Sequence, residues 1–332
     1  MLGMQIFGDV LGLIKNFYVV SEGALSADQS VFRFDSKDKM TRIPVETISA
    51  INLYGGVSVT SGAFNLASTH NVPFHFFGFY GNYIGTYWPK DAYFSGDLTI
   101  RQSLIYSNYD YRKTLSVTLL RGIYRNMRAL LNKFDGNIEG FELSIEDGTI
   151  ERIMLSEARL RKDYYTRLDS VLPEQFRIEN RERRPPTNFG NSLLSFGNSL
   201  LYSEMVTQAR YTSINMSIPF YHSPESGRFS LSLDLSEVFK PGLVDRLILS
   251  LTRQGIIHTD DHFHEVGNGI LLNERGRKLF IQQWEAWLES ASYNNRMKRK
   301  VSHRELIRME IHKFAKEVEE IEPYKPLRLP VD

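Results

Sequence analysis

Residues 74–111 read FHFFGFYGNYIGTYWPKDAYFSGDLTIRQSLIYSNYDY, and a change of pattern inside them decides the fold. Up to Tyr87 the run is rich in aromatic residues and punctuated by Gly78, Gly81 and Gly85, as short strands between turns are. Beyond Trp88-Pro89 the period changes. Apolar residues then recur at three and four, through Leu104, Tyr111, Leu115, Leu119, Ile123, Met127 and Leu130, which is the spacing of one helix face. At 332 residues the chain exceeds the usual single domain. It therefore reads as an α+β multidomain protein, with a β-rich domain over 1–93 and a larger all-α domain over 94–332.

Working back from this junction, strands are expected at Phe17–Val20, Val31–Phe34, Ala50–Tyr54, Pro73–Phe77 and Asn82–Tyr87, with a short helix at Ser61–Ala67. Residues 1–93 hold 16 aromatics but only 6 Lys or Arg and 7 Asp or Glu, a balance that favours packing and association over catalysis. The aromatic run suits a sheet core or dimer contact better than a platform for stacked bases.

Working forward, a helix near 149–168 places Glu157 among Leu155, Ser156 and Ala158. A carboxylate partly withdrawn from water needs a partner, either Arg161 one turn on or a bound cation. Arginines at 177, 181, 183 and 184 precede a double proline, and this segment is either a basic loop for nucleic acid or a solvated linker balanced by Glu179 and Glu182. Helical periodicity resumes over Asn191–Tyr211.

Residues 217–241, SIPFYHSPESGRFSLSLDLSEVFKP, then bring together His222, a turn at Pro224 and Ser226-Gly227, and the carboxylates Asp234 and Glu237. Three apart on a helix, these carboxylates share a face and can converge on a cation. The plainer alternative is a first helical turn favoured by its dipole, beside an ordinary loop histidine. Further on, His258, His262 and His264 with Asp260 and Asp261 have ligand-like spacing, but no distant partner set matches them, and a polar loop is the reading favoured over a metal site. The run Arg296–Lys300, with Arg304 and Arg308, is a second candidate for phosphate.

Composition narrows the chemistry. There is no cysteine, so a metal site must use His, Asp, Glu or carbonyl oxygens. A net charge of +1 leaves any affinity for nucleic acid to local clusters. The N-terminus lacks a basic leader, Gln5 and Asp9 interrupt its apolar run, and no segment is long and apolar enough to span a bilayer. A cytoplasmic protein with no membrane contact is expected.

Four stretches together resemble the universal CRISPR-associated integrase family: the Glu157 helix, RPPTNFGNSLLSFGNSLLY (184–202), HSPESGRFSLSLDLSEVFKPGLVDR (222–246) and the late LNERGRK (272–278). KNFYVVSEGALS (15–26) and GFYGNYIGTYWP (78–89) are similar to its first domain. The resemblance implies an N-terminal β-sandwich that dimerises and a helical catalytic domain. It implies Mn²⁺ or Mg²⁺ held by Glu157, His222 and Glu237, with Asp234 in support. Lys240 matches a basic position of the family, and with Arg228 and Arg246 would neutralise phosphate, as would Arg183 and Arg184 in the basic loop. The implied activity joins 3′-hydroxyl ends of spacer-precursor DNA to the repeat of a CRISPR array. The implied assembly is a homodimer that forms a heterohexamer with a small bridging CRISPR-associated adaptation protein. One departure is Pro219, near where the family commonly has glycine. Two rival readings are a branched-DNA repair nuclease and a non-catalytic DNA-binding assembly subunit.

Overall fold

A computed structural model describes residues 15–37, 39–78, 81–89, 95–146, 148–182, 185–225, 229–294 and 297–330. The chain divides into two units, Met1–Tyr93 and Phe94–Asp332.

In the first unit the strands are β1 (Lys15–Val19), β2 (Gly23–Asp28), β3 (Val31–Asp35), β4 (Met40–Pro44), β5 (Ile48–Tyr54) and β6 (Val57–Val59). Helix α1 (Ser61–Thr69) precedes β7 (Phe74–Phe77) and β8 (Tyr83–Tyr87). They form two four-stranded sheets, ordered β1-β5-β7-β8 and β4-β3-β2-β6. β5 lies inside its sheet, paired in parallel with β1 and β7, and all seven of its residues are buried. That explains why ISAINLY reads as a continuous run rather than an alternating one. Leu25, Phe32 and Phe34 of one sheet and Ile51, Leu53 and Phe74 of the other share a core, with the Phe32 and Phe74 rings edge to face at 5.7 Å. The sequence reading missed β2, β4 and β6. GALSAD and VSV carry few large side chains, and their extension comes from pairing with β3 and with each other.

The second unit begins with α2 (Gly96–Ser107), α3 (Tyr109–Lys133), α4 (Ile150–Asp169) and α5 (Phe189–Ala209). Next come α6 (Ser230–Ser236), a π-helical segment (Lys240–Asp245), α7 (Arg246–Arg253) and α8 (Thr259–His262). Side chains placed by sequence cap the long helices: Asn108 accepts from Tyr111 N at 3.1 Å, and Asn188 from Asn191 N at 2.8 Å. The domain is not wholly helical. One hairpin, β9 (Phe263–Val266) with β10 (Gly269–Leu272), precedes α9 (Glu274–Glu289); a second, β11 (Ala291–Asn294) with β12 (Arg299–Ser302), precedes α10 (His303–Val318). The first hairpin needs Gly267, whose φ of +56° lets four-residue strands reverse tightly.

Residues 323–330 have no regular secondary structure but form a strap over this unit. Asn126 of α3 donates to Leu327 O at 3.1 Å and to Val238 O at 3.0 Å, and it accepts from Leu329 N at 3.3 Å. Glu310 of α10, fully buried, accepts from Tyr324 Oη and from Leu327 N. The strap approaches so closely that a Cβ on Gly122 would lie 2.4 Å from Pro326, and one on Gly242 2.5 Å from Leu329. Among the described residues no helix is long and apolar enough to cross a membrane.

Candidate active site

Thr149 caps α4, which buries Ile153, Leu160, Tyr164 and Leu168. Glu157 is one turn from Ile153, Leu160 and Arg161, so it points toward the interior with its side chain only 14% exposed. The loop opposite is organised by Asp234 of α6, which is fully buried. Its Oδ2 accepts from Phe220 N at 2.8 Å and Tyr221 N at 2.9 Å; its Oδ1 accepts from His222 N at 3.0 Å and meets His222 Nδ1 at 2.7 Å. Four interactions on one carboxylate fix the backbone just after Pro219, so the missing glycine leaves no slack at His222. They also orient the imidazole.

Glu237 follows α6 directly. Pro241, four residues on, has no N–H to offer its carbonyl, and the helix widens into the π segment. This turn brings Lys240 back onto Glu237 Oε1 and leaves Glu237 Oε2 to Arg161 Nη2. The same Nη2 donates to Glu157 Oε1 at 2.7 Å, and Tyr221 Oη donates to Glu157 Oε2 at 2.8 Å. One guanidinium thus bridges carboxylates from two elements. The sequence posed Arg161 and a cation as alternatives for Glu157, and the arginine occupies that place. Asp234 and Glu237, whose spacing left convergence on a cation as one of two readings, have different partners here: the first organises the His222 loop and the second faces Arg161 and Lys240.

Burial would raise the Glu237 carboxyl, but Arg161 and then Lys240 hold it down at about 2. Burial would lower His222, yet its hydrogen bond to Asp234, with the charges of Asp234, Glu237 and Glu157, raises it above the ordinary imidazole value. Burial pulls Lys240 below the usual amine value despite Glu237. Tyr221 is pushed up, first by burial and then by Glu157. The site is therefore anionic carboxylate matched by buried cation.

Two carboxylates and an imidazole are a suitable donor set for Mn²⁺ or Mg²⁺. As placed, no three His, Cys, Asp or Glu among the described residues stand together as a ligand group, because Arg161 lies between the two glutamates. For these donors to hold such an ion, the Arg161 guanidinium would have to leave the two glutamates. Tyr221 was missed from sequence, since a tyrosine beside a histidine carries no signal that distinguishes it from core.

The pattern of the family described as CRISPR associated protein Cas1 matches residues 17–286, well over half the chain. The chain belongs to the Cas1 family. It is 39% identical over 299 residues to a protein of Methanothermobacter thermautotrophicus named CRISPR-associated endonuclease Cas1, covering 88% of this chain and 85% of that protein. A solved Cas1 structure from Thermotoga maritima superposes with a TM-score of 0.87 at 33% identity, covering 94% of this chain and 100% of that one. A casposase bound to integration product has the same fold, with a TM-score of 0.79 at 17% identity over 96% of this chain and 95% of its own.

Other residues flagged in this Cas1-family chain fall elsewhere. Arg183, Arg184 and Arg228 lie outside the described residues, as does the Ser226-Gly227 turn. Arg246 stacks over the Trp287 ring at 4.5 Å and reaches Pro330 O. Arg304, expected at a phosphate surface, is instead buried against Glu204, Glu285 and Glu289, because α5, α9 and α10 close around it. Arg308 lies over Tyr211 and donates to Gln208. The histidine cluster is split between α8 and β9, with His262 Nδ1 bonded to the backbone of its neighbour His258.

Proposed function

We propose that this chain is a metal-dependent DNA integrase and endonuclease of CRISPR adaptation, with Glu157, His222 and Glu237 as its ion-holding and catalytic residues. The observation that carries this reading is the convergence of Glu157 from α4 and Glu237, which directly follows α6, on one cationic group, the Arg161 guanidinium. His222 is fixed by Asp234 on the facing loop. When bound, Mn²⁺ or Mg²⁺ supplies a Lewis acid for an attacking hydroxyl and for charge on the scissile phosphate.

The reaction is a transesterification. The 3′-hydroxyl of spacer-precursor DNA attacks phosphorus at the repeat boundary, forming one phosphodiester. The P–O bond to the repeat strand's neighbouring 3′-oxygen breaks, and that oxygen takes up a proton as the attacking hydroxyl gives one up. Water in place of the hydroxyl gives endonuclease cleavage from the same site. Asp234 holds His222 Nδ1, which leaves Nε2 as the nitrogen available for an ion. Lys240, Arg246, Arg228, Arg183 and Arg184 are proposed to neutralise phosphates along the DNA. The working assembly is a homodimer, two of which flank a dimer of the small bridging adaptation protein.

The test incubates the protein and that partner with Mn²⁺, short duplexes and a plasmid carrying a leader and repeat. Duplexes with 3′-hydroxyl ends are compared with 3′-dideoxy ends. Covalent joining that needs the hydroxyl and is lost in Glu157→Gln is the expected result. Nicking indifferent to the hydroxyl would favour a branched-DNA nuclease, and DNA binding without reaction would favour an assembly subunit.

A further inference from the structure

Every oxygen of the two site glutamates already has a protein donor. Glu157 Oε1 accepts from Arg161 Nε at 3.2 Å and from Nη2 at 2.7 Å, and Oε2 accepts from Tyr221 Oη at 2.8 Å. Glu237 Oε2 accepts from Arg161 and Oε1 from Lys240. Two carboxylates are thus balanced by two cations. A divalent ion entering this buried space meets uncompensated positive charge, which low dielectric makes costly. Arg161 also has a donor to spare: its Nη1 is buried with no hydrogen-bond partner among the described residues. A buried guanidinium with one unsatisfied nitrogen suits an added anionic oxygen acceptor such as the non-bridging oxygens of a phosphodiester.

We propose that Arg161 makes ion loading conditional on DNA. Its guanidinium holds the gap between Glu157 and Glu237 in the free protein and leaves it for a phosphodiester oxygen when DNA arrives, so that DNA and the divalent ion bind cooperatively. Arg161 is in this sense a positioning residue for the ion. The inference rests on the assignment of Glu157 and Glu237 as ligands. By linkage, the factor by which DNA tightens the ion equals the factor by which the ion tightens DNA.

The experiment measures free Mn²⁺ by electron paramagnetic resonance as it is titrated into the full chain, with and without a non-reactive 3′-dideoxy duplex. In the parent, the duplex is expected to tighten Mn²⁺ by about tenfold or more, within the usual range of coupling between sites. Arg161→Met, which keeps length without charge, is expected to bind Mn²⁺ about tenfold more tightly than the parent in the absence of DNA and to lose most of the coupling. No tightening by DNA in the parent overturns the proposal whether or not the variant folds, and a folded Arg161→Met with parental Mn²⁺ affinity overturns it as well. Glu157→Gln separates the two levels of the argument. If Mn²⁺ binding survives in that variant, the ligand assignment fails; if it is lost there while Arg161→Met behaves like the parent, only the conditional loading fails.

Discussion

At the scale of single residues, the site is two carboxylates held by cations on the chain itself. Removing Glu157 or Glu237 as Gln, or His222 as Ala, is expected to reduce strand transfer by about 10³-fold or more, the loss expected when several kcal/mol of ion-derived stabilisation disappear. Circular dichroism should remain parental. Asp245 gives a separate prediction, since burial raises its carboxyl from 3.8 to about 6 although Tyr164 donates to it at 2.8 Å. The unfolded chain releases this proton near 3.8 and the folded chain holds it to about 6, so between those values the folded state binds more protons. Stability from this group is therefore present at low pH and lost as pH rises through that window, by about 3 kcal/mol at most. Asp245→Asn should remove that share of the slope, read by comparing urea midpoints of parent and variant from pH 4 to 7. Residue identity was legible where spacing carried it, as for Glu157 with Arg161. Tyr221 and the backbone role of Asp234 were not legible, because both depend on which loop folds over α6.

At the scale of elements, periodicity revealed the helices and aromatic runs revealed the inner strands, since burial on one face or two leaves a period in the sequence. β2, β6 and the hairpin strands β9 to β12 left weak traces, because their extension is set by partners and by turn residues such as Gly267. The strap left no trace at all: YKPLRLP has no period, and its order comes from Asn126, Glu310 and the open faces at Gly122 and Gly242. A methyl at Gly122 has nowhere to go with Pro326 2.4 Å away. Gly122→Ala is accordingly expected to lower stability by about 1–3 kcal/mol, although alanine favours helices, and the measurement is a shift in chemical-denaturation midpoint. An unchanged or raised midpoint would mean that the strap yields easily.

At the scale of the whole molecule, the structure divides into units Met1–Tyr93 and Phe94–Asp332, the first built on strands and the second mainly on helices. A fragment of residues 94–332 contains the whole proposed site. It is expected to unfold cooperatively and to gain thermal stability with Mn²⁺ and DNA, while sedimenting as a monomer where the full chain sediments as a dimer. A dimeric fragment would shift the association surface out of the β domain. The strap bears on how such a molecule is made. Its contacts with Asn126 reach across 201 and 203 residues, so α3 leaves the ribosome long before the backbone groups that pair with its buried amide. Until they arrive, Asn126 and Glu310 have no complete set of partners, and desolvating either one is unfavourable. The packing of α3 and α10 is thus expected to stay incomplete on the ribosome until the strap emerges and supplies these partners.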